Sequence, residues 1–183
     1  MRAKLLYSLI IGGVLLSCSE PEKPKDDYND LLDHWTPEVS SGMNSTFAEE
    51  EDEEIDLYLE RYPDWNMTKT GTGLRYMVYQ SSEEGDSARV GDIVTVTFEI
   101  SLLDGTICYN SQEKGAESFM VEKTDIESGL HEGIKFMKNG DKAKFILPSH
   151  MAHGLIGDQD KIPPLSPVIY DIHLINVENN ETH

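Results

Sequence analysis

The chain has 183 residues, 34 of them acidic and 15 basic, for a net charge of -19. Such a surface cannot neutralise a row of phosphates, which excludes nucleic acid as a partner, and it is repelled by an anionic membrane surface. The length suits one domain of ordinary size with sequence to spare.

Residues 1–17 read as an export signal. Arg2 and Lys4 precede the apolar run LLYSLIIGGVLL, Leu5 to Leu16. That run is too short to span a bilayer as a helix and suits a secretory signal. It ends in LLSC, Leu15 to Cys18, which resembles the lipobox of bacterial lipoproteins. A lipid on Cys18 would anchor the chain to a membrane and place it in the cell envelope, on the outer membrane or the periplasmic side. Cys108 is then the one remaining thiol, so an exported chain has no internal disulfide and depends on a packed core.

Residues 18–45 are rich in proline, charge and serine and read as a flexible tether, with at most a short helix from Leu31 to Trp35. Thr46 and Glu49 form a capping-box pattern at the head of a helix over 47–61. Ile55, Tyr58, Leu59 and Tyr62 fall on one stripe of it before Pro63. The run EEEDEE, Glu49 to Glu54, favours a helix N-terminus and otherwise reads as a solvated face. This helix and its connector fill 46–72.

From Leu74 the pattern turns to period two. Val94, Val96, Phe98 and Ile100 alternate with Thr95, Thr97, Glu99 and Ser101, which is a half-buried strand. DGT at 104–106 is a hairpin turn. Ala143, Phe145 and Leu147 share one face, as do Val168, Tyr170, Ile172 and Leu174. One segment is helical, SGLHEGIKFMKNG, with Leu130, Ile134 and Met137 on its apolar side and Gly140 as its stop. The layout is α+β: a curled antiparallel sheet wrapped on one short amphipathic helix, with an additional N-terminal helix.

Candidate chemistry is sparse. His150 and His153 are three apart, but a catalytic zinc needs a third protein ligand, and no HExxH or CxxC supports the pair. No GxSxG is present, and the lone Cys108 reads as a small packed hydrophobe. GTG at 71–73 has neither a following helix nor a lysine partner, so it is no phosphate loop.

What remains is apolar and ordered along the chain: the Phe98 strand, Phe119, DIESGLHEGI, PSHMAHG and IPPLSPVIYDIHLINV. Over 73–179 this resembles the FK506-binding-protein class of peptidyl-prolyl cis/trans isomerases. The lipobox, tether, helix and DWNMTKTGTGLRY together resemble the gliding-motility-associated lipoprotein isomerases of Bacteroidetes. The resemblance implies an apolar proline pocket that uses no cofactor and no metal. Phe98, Phe119, His153 and Tyr170 would be its catalytic residues. Ile126, Leu130 and Ile162 would complete the pocket, the Glu127 amide would donate to the substrate, and Cys108 and Tyr109 would border it. Its partners would be proline-containing polypeptides. Four positions depart from the family pattern. Leu130 stands for a tryptophan, Cys108-Tyr109 for phenylalanine-aspartate, Phe98 for a tyrosine and His153 for the rim tyrosine. A non-catalytic chaperone or adaptor of the same fold, binding proline-containing segments, stays open beside the enzyme.

Overall fold

The computed structural model describes residues 37–179, with side chains from Ser45 onward. The export signal, Cys18, the tether up to 36 and the short helix expected at Leu31 to Trp35 lie outside the described residues. Strands are β1 (Thr68–Lys69), β2 (Arg75–Gln80), β3 (Ile93–Leu102), β4 (Ile107–Asn110), β5 (Glu117–Met120), β6 (Lys142–Leu147) and β7 (Val168–Glu178). Helices are α1 (Pro37–Leu59), α2 (Ser111–Lys114) and α3 (Ser128–Ile134). All strand pairs are antiparallel, in the order β1-β2-β6-β7-β3-β4, with β5 also on β3.

Alternation sets the sheet's faces. Val94, Val96, Ile100, Ala143, Phe145, Leu147, Val168, Tyr170, Ile172 and Leu174 are buried on the concave side. There they meet Leu130 and Ile134 of α3, and Met137 just beyond it. The expected helix stop moves: α3 ends at Ile134, and Gly140 instead turns the chain into β6, its N–H donating to Leu174 O at 2.8 Å. Gly129 lets α3 lie against the sheet. A Cβ there would fall 2.5 Å from Leu147 Cγ, inside the packed core. Gly129→Ala is therefore expected to cost about 1–3 kcal/mol by overpacking, read as a lower urea midpoint at unchanged slope.

The helix α1 differs from its sequence-based bounds. It begins at Pro37, where a missing N–H breaks no helical bond, and ends at Leu59 rather than 61. Residues 37–45, expected in the tether, are helical, and Thr46 lies inside the helix rather than at its cap. The acidic run consequently sits in the second half of α1, away from the N-terminal turn where the macrodipole would favour it, and its six like charges repel one another. Tertiary contacts offset this. Arg75, 2% exposed, reaches Asp56 Oδ1 at 2.6 Å, Asp52 Oδ1 at 2.8 Å and Gly73 O at 3.2 Å. Lys69 Nζ lies 2.6 Å from Asp52 Oδ2. Glu51 is buried, and both its carboxylate oxygens accept from Ser149, one from the amide at 2.7 Å and the other from the hydroxyl. The acidic run is a docking face as much as a solvated one. Ile55 and Tyr58 pack with Ile146, Ile169 and Leu103 on the convex side of the sheet, while Tyr62 lies past the helix and stacks on Trp65 at 4.5 Å.

Candidate active site

The site opens where β3 changes partner. Its first half pairs with β5 from Ile93 to Val96, and its second half pairs with β4 from Glu99. Between them the Phe98 amide donates to Ser111 Oγ at 2.8 Å. Behind this gap lies a cavity of about 490 Å³. Phe98, Phe119, Ile126, Leu130 and Tyr170 form its apolar wall, and Glu127, His153 and Tyr109 also line it. The Phe98 and Tyr170 rings are 6.5 Å apart and tilted.

Two expected residues lie elsewhere. Ile162 and Cys108 are each 2% exposed, packed in the core rather than on the cavity wall. The Cys108 Sγ faces Lys161 O at 3.6 Å, and burial pushes its thiol above the ordinary range, so it offers no thiolate at neutral pH. The pair His150 and His153 also diverges. His150 Nε2 meets Thr72 O at 3.0 Å, whereas His153 turns to the cavity. Among the described residues no three His, Cys, Asp or Glu side chains converge on a metal position.

The polar part of the cavity centres on Glu127. The Tyr170 phenol lies near enough to its carboxylate to feel its charge. Burial first, and that carboxylate second, push the Tyr170 phenol well above its ordinary range, so it remains an O–H donor. Glu127 Oε1 is 3.2 Å from His153 Nε2 but out of line for a hydrogen bond, which leaves that nitrogen buried and unpartnered. His131, unremarked in the sequence, positions the wall. Its Nδ1 accepts from the Glu122 amide at 3.0 Å, its Nε2 donates to Thr124 O at 2.8 Å, and its edge meets the Phe119 ring.

The mouth is built around Asp158, also unforeseen. Tyr109 donates its hydroxyl to one carboxylate oxygen, and the amides of Asp160 (2.9 Å) and Ile162 (2.8 Å) donate to the other. Burial raises the Asp158 pKa, but these donors outweigh it and hold the value at about 2. A carboxyl whose folded pKa lies below its unfolded value stabilises above the unfolded pKa, and that contribution fades as pH falls through the folded one. Asp158→Asn is accordingly expected to lower stability at pH 7 and to flatten its fall between about pH 4 and pH 2, followed by urea unfolding across that range.

The model for the FKBP-type peptidyl-prolyl cis-trans isomerase family matches residues 85–175. The FKBP-type peptidyl-prolyl cis-trans isomerase FkpA of Buchnera aphidicola subsp. Acyrthosiphon pisum is 30% identical over 178 residues, covering 96% of this chain and 70% of the relative. The chain belongs to this family. FkpA of Escherichia coli K12 is 28% identical over 180 residues, 96% of this chain and 66% of its own length. The crystal structure of FkpA from Escherichia coli superposes with a TM-score of 0.62 at 26% identity, covering 86% of this chain and 74% of that one. Of the two readings left open by the sequence, these findings favour the enzyme: the chain is a peptidyl-prolyl cis-trans isomerase. In this isomerase the strand position expected to carry aspartate holds Tyr109, and the carboxylate at that edge comes from the loop, as Asp158.

Proposed function

We propose that the isomerase is an exported lipoprotein, held in the cell envelope by a lipid on Cys18, that speeds the folding of envelope proteins by rotating X-Pro bonds in the Phe98–Tyr170 cavity. An X-Pro amide rotates slowly because conjugation sets a barrier of about 18–20 kcal/mol. Twisting removes that conjugation and the charge separation that water stabilises. An apolar wall that grips the proline and strips water from the amide therefore favours the twisted form over the planar one. In this reading Phe98, Phe119, Ile126, Leu130 and Tyr170 hold the ring. The Glu127 amide, which has no acceptor among the described residues, takes the substrate carbonyl. His153 supplies a ring nitrogen to the peptide. The observation that carries the reading is this open cavity walled by Phe98, Phe119, Ile126, Leu130 and Tyr170, with His153 on its lining.

Four carboxylates, of Glu117, Glu127, Asp158 and Asp160, line the cavity against one ammonium, of Lys114. Peptides with lysine before proline are expected to turn over about fivefold faster than those with glutamate at low salt, a gap that narrows at high salt. A protease-coupled isomerisation assay with such a peptide pair measures it.

The lipobox, tether, N-terminal helix and DWNMTKTGTGLRY support the resemblance to the gliding-motility-associated lipoproteins, and in this reading the clients lie on the envelope side of the membrane. Metabolic labelling with palmitate tests the anchor. Label lost in Cys18→Ala, with the protein released from the membrane fraction, supports it; unlabelled wild type found in the soluble fraction overturns it.

A further inference from the structure

Within the cavity one carboxylate and one imidazole face each other. Glu127 Oε1 stands 3.2 Å from His153 Nε2, and that nitrogen is shut off from solvent. Both side chains are largely buried, and among the described residues no lysine or arginine pairs with Glu127. The separation is that of a hydrogen bond lacking only alignment, which a small turn of the ring supplies. A carboxylate only accepts, so Nε2 must then carry a proton. The consequence falls on the other ring nitrogen. With Nε2 protonated, Nδ1 is an acceptor in the neutral ring and a donor only in the imidazolium.

A bound peptide offers carbonyl oxygens to the rim, and these accept. His153 can serve one from Nδ1 in its charged form alone. The surroundings favour that charge. The carboxylates of Glu117, Glu127, Asp158 and Asp160 and the phenols of Tyr109 and Tyr170 line the cavity, against the ammonium of Lys114. Burial raises the Asp158 pKa but its donors hold it at about 2, so it is ionised at neutral pH and attracts the ring. Both phenols are pushed above their ordinary range, Tyr109 chiefly by its hydrogen bond to Asp158 and Tyr170 chiefly by burial, so both stay neutral.

We propose that the Glu127 carboxylate is a positioning residue: it takes the Nε2–H of His153 and so makes the imidazolium, through Nδ1, the donor to the bound peptide. This role rests on the isomerase reading of the cavity. Turnover should fall as pH rises and the ring loses its charge. His131, behind the Phe119 wall, acts in the opposite sense. Its Nδ1 accepts from the Glu122 amide, so protonating it breaks that bond and loosens the wall toward acid.

The test follows kcat/KM of the full chain from about pH 5.5 to about pH 8.5, the span in which imidazoles change charge. The substrate is a blocked proline tetrapeptide without titratable side chains, in a protease-free assay. The wild type should fall about tenfold across that span, the loss expected for one hydrogen bond from a charged donor. Glu127→Gln keeps the backbone amide and the side-chain size but removes the charge, and its fall should move to lower pH. His153→Tyr supplies a hydroxyl that donates throughout, and its profile should be flat. A wild-type profile that is flat or rises with pH overturns the proposal. So does a fall that persists in His153→Tyr, or one that fails to move to lower pH in Glu127→Gln. Should Glu127→Gln not fold, His153→Tyr decides alone. If the wild type accelerates the peptide at no pH, the isomerase reading fails by itself. The pair is then judged by nuclear magnetic resonance of the His153 ring: a titration that moves to lower pH in Glu127→Gln supports it, and one that stays in place overturns it.

Discussion

Phe98→Ala is expected to lower kcat/KM for a proline tetrapeptide by ten- to a hundredfold while the fold survives. Phe98 is half-buried, lines the cavity, and sits in the gap between β4 and β5 where no neighbouring strand covers that edge of β3. Its backbone is fixed independently of the ring, by Ser111 Oγ on one side and by pairing with Ile172 on the other. Truncation thus removes wall without unpinning the strand. Burial of such a ring against a ligand is worth about 1.5–3 kcal/mol, and each 1.36 kcal/mol is tenfold in rate. Phe98→Tyr should stay close to wild type, since it keeps the ring. Unchanged turnover in Phe98→Ala, at unchanged thermal stability, would mean that the proline does not rest on this wall.

Arg75→Ala is expected to destabilise the protein by about 3 kcal/mol, measured as the free energy of urea unfolding. The guanidinium is almost fully buried and gives hydrogen bonds to the Asp52 and Asp56 carboxylates and to the carbonyls of Gly73 and Asp52. Breaking a fully buried ion pair costs about 3–5 kcal/mol, but the Asp56 and Asp52 side chains are 62% and 36% exposed and regain water, which keeps the loss at the low end. Arg75→Lys should recover little, because an ammonium cannot reproduce the planar fork that meets two carboxylates and two carbonyls. The same docking depends on pH. The Lys69 hydrogen bond, opposed by burial and aided by Arg75, holds the Asp52 carboxyl below its ordinary range. Its contribution is therefore complete above about pH 4 and lost as acid protonates it. A change below about 1 kcal/mol in Arg75→Ala would show that α1 is held by Ile55, Tyr58 and the Glu51–Ser149 contact without need of the guanidinium.

The consequence reaches the site, because α1 holds the loop before His153 through Glu51 and Ser149. Loosening α1 frees that loop at its first residue, so Arg75→Ala should also weaken turnover. The cavity and the N-terminal helix are mechanically joined although they look separate along the chain.

Local pattern carried a large part of the fold. The alternation in IVTVTFEISL and PVIYDIHLINV needs only a pleated backbone with one wet face, so the inward positions of β3 and β7 were readable residue by residue. The order of Phe98, Phe119, Leu130 and Tyr170 named a family through resemblance, and the fold brings those four side chains to one cavity. Ile146 was not readable as core, since it points away from Phe145 and Leu147; it is buried only because α1 covers the convex face.

What the chain alone could not show depends on partners far away in sequence. Glu49 to Glu54 read as a solvated face because nothing nearby opposes it; Arg75 and Ser149 do so from 23 and 98 residues on. Cys108 and Ile162 were assigned to the wall by position in a motif, yet β4 turns Cys108 into the core and the fold of the loop around Asp158 turns Ile162 there. Asp158 itself sits in a polar loop with no pattern to mark it, and its role follows from meeting Tyr109, 49 residues before it. Period and composition are local quantities and determine which faces of β3, β6 and β7 are buried. Charge pairing, capping of loops and closure of a cavity are sums over distant residues, and only the folded chain brings those together.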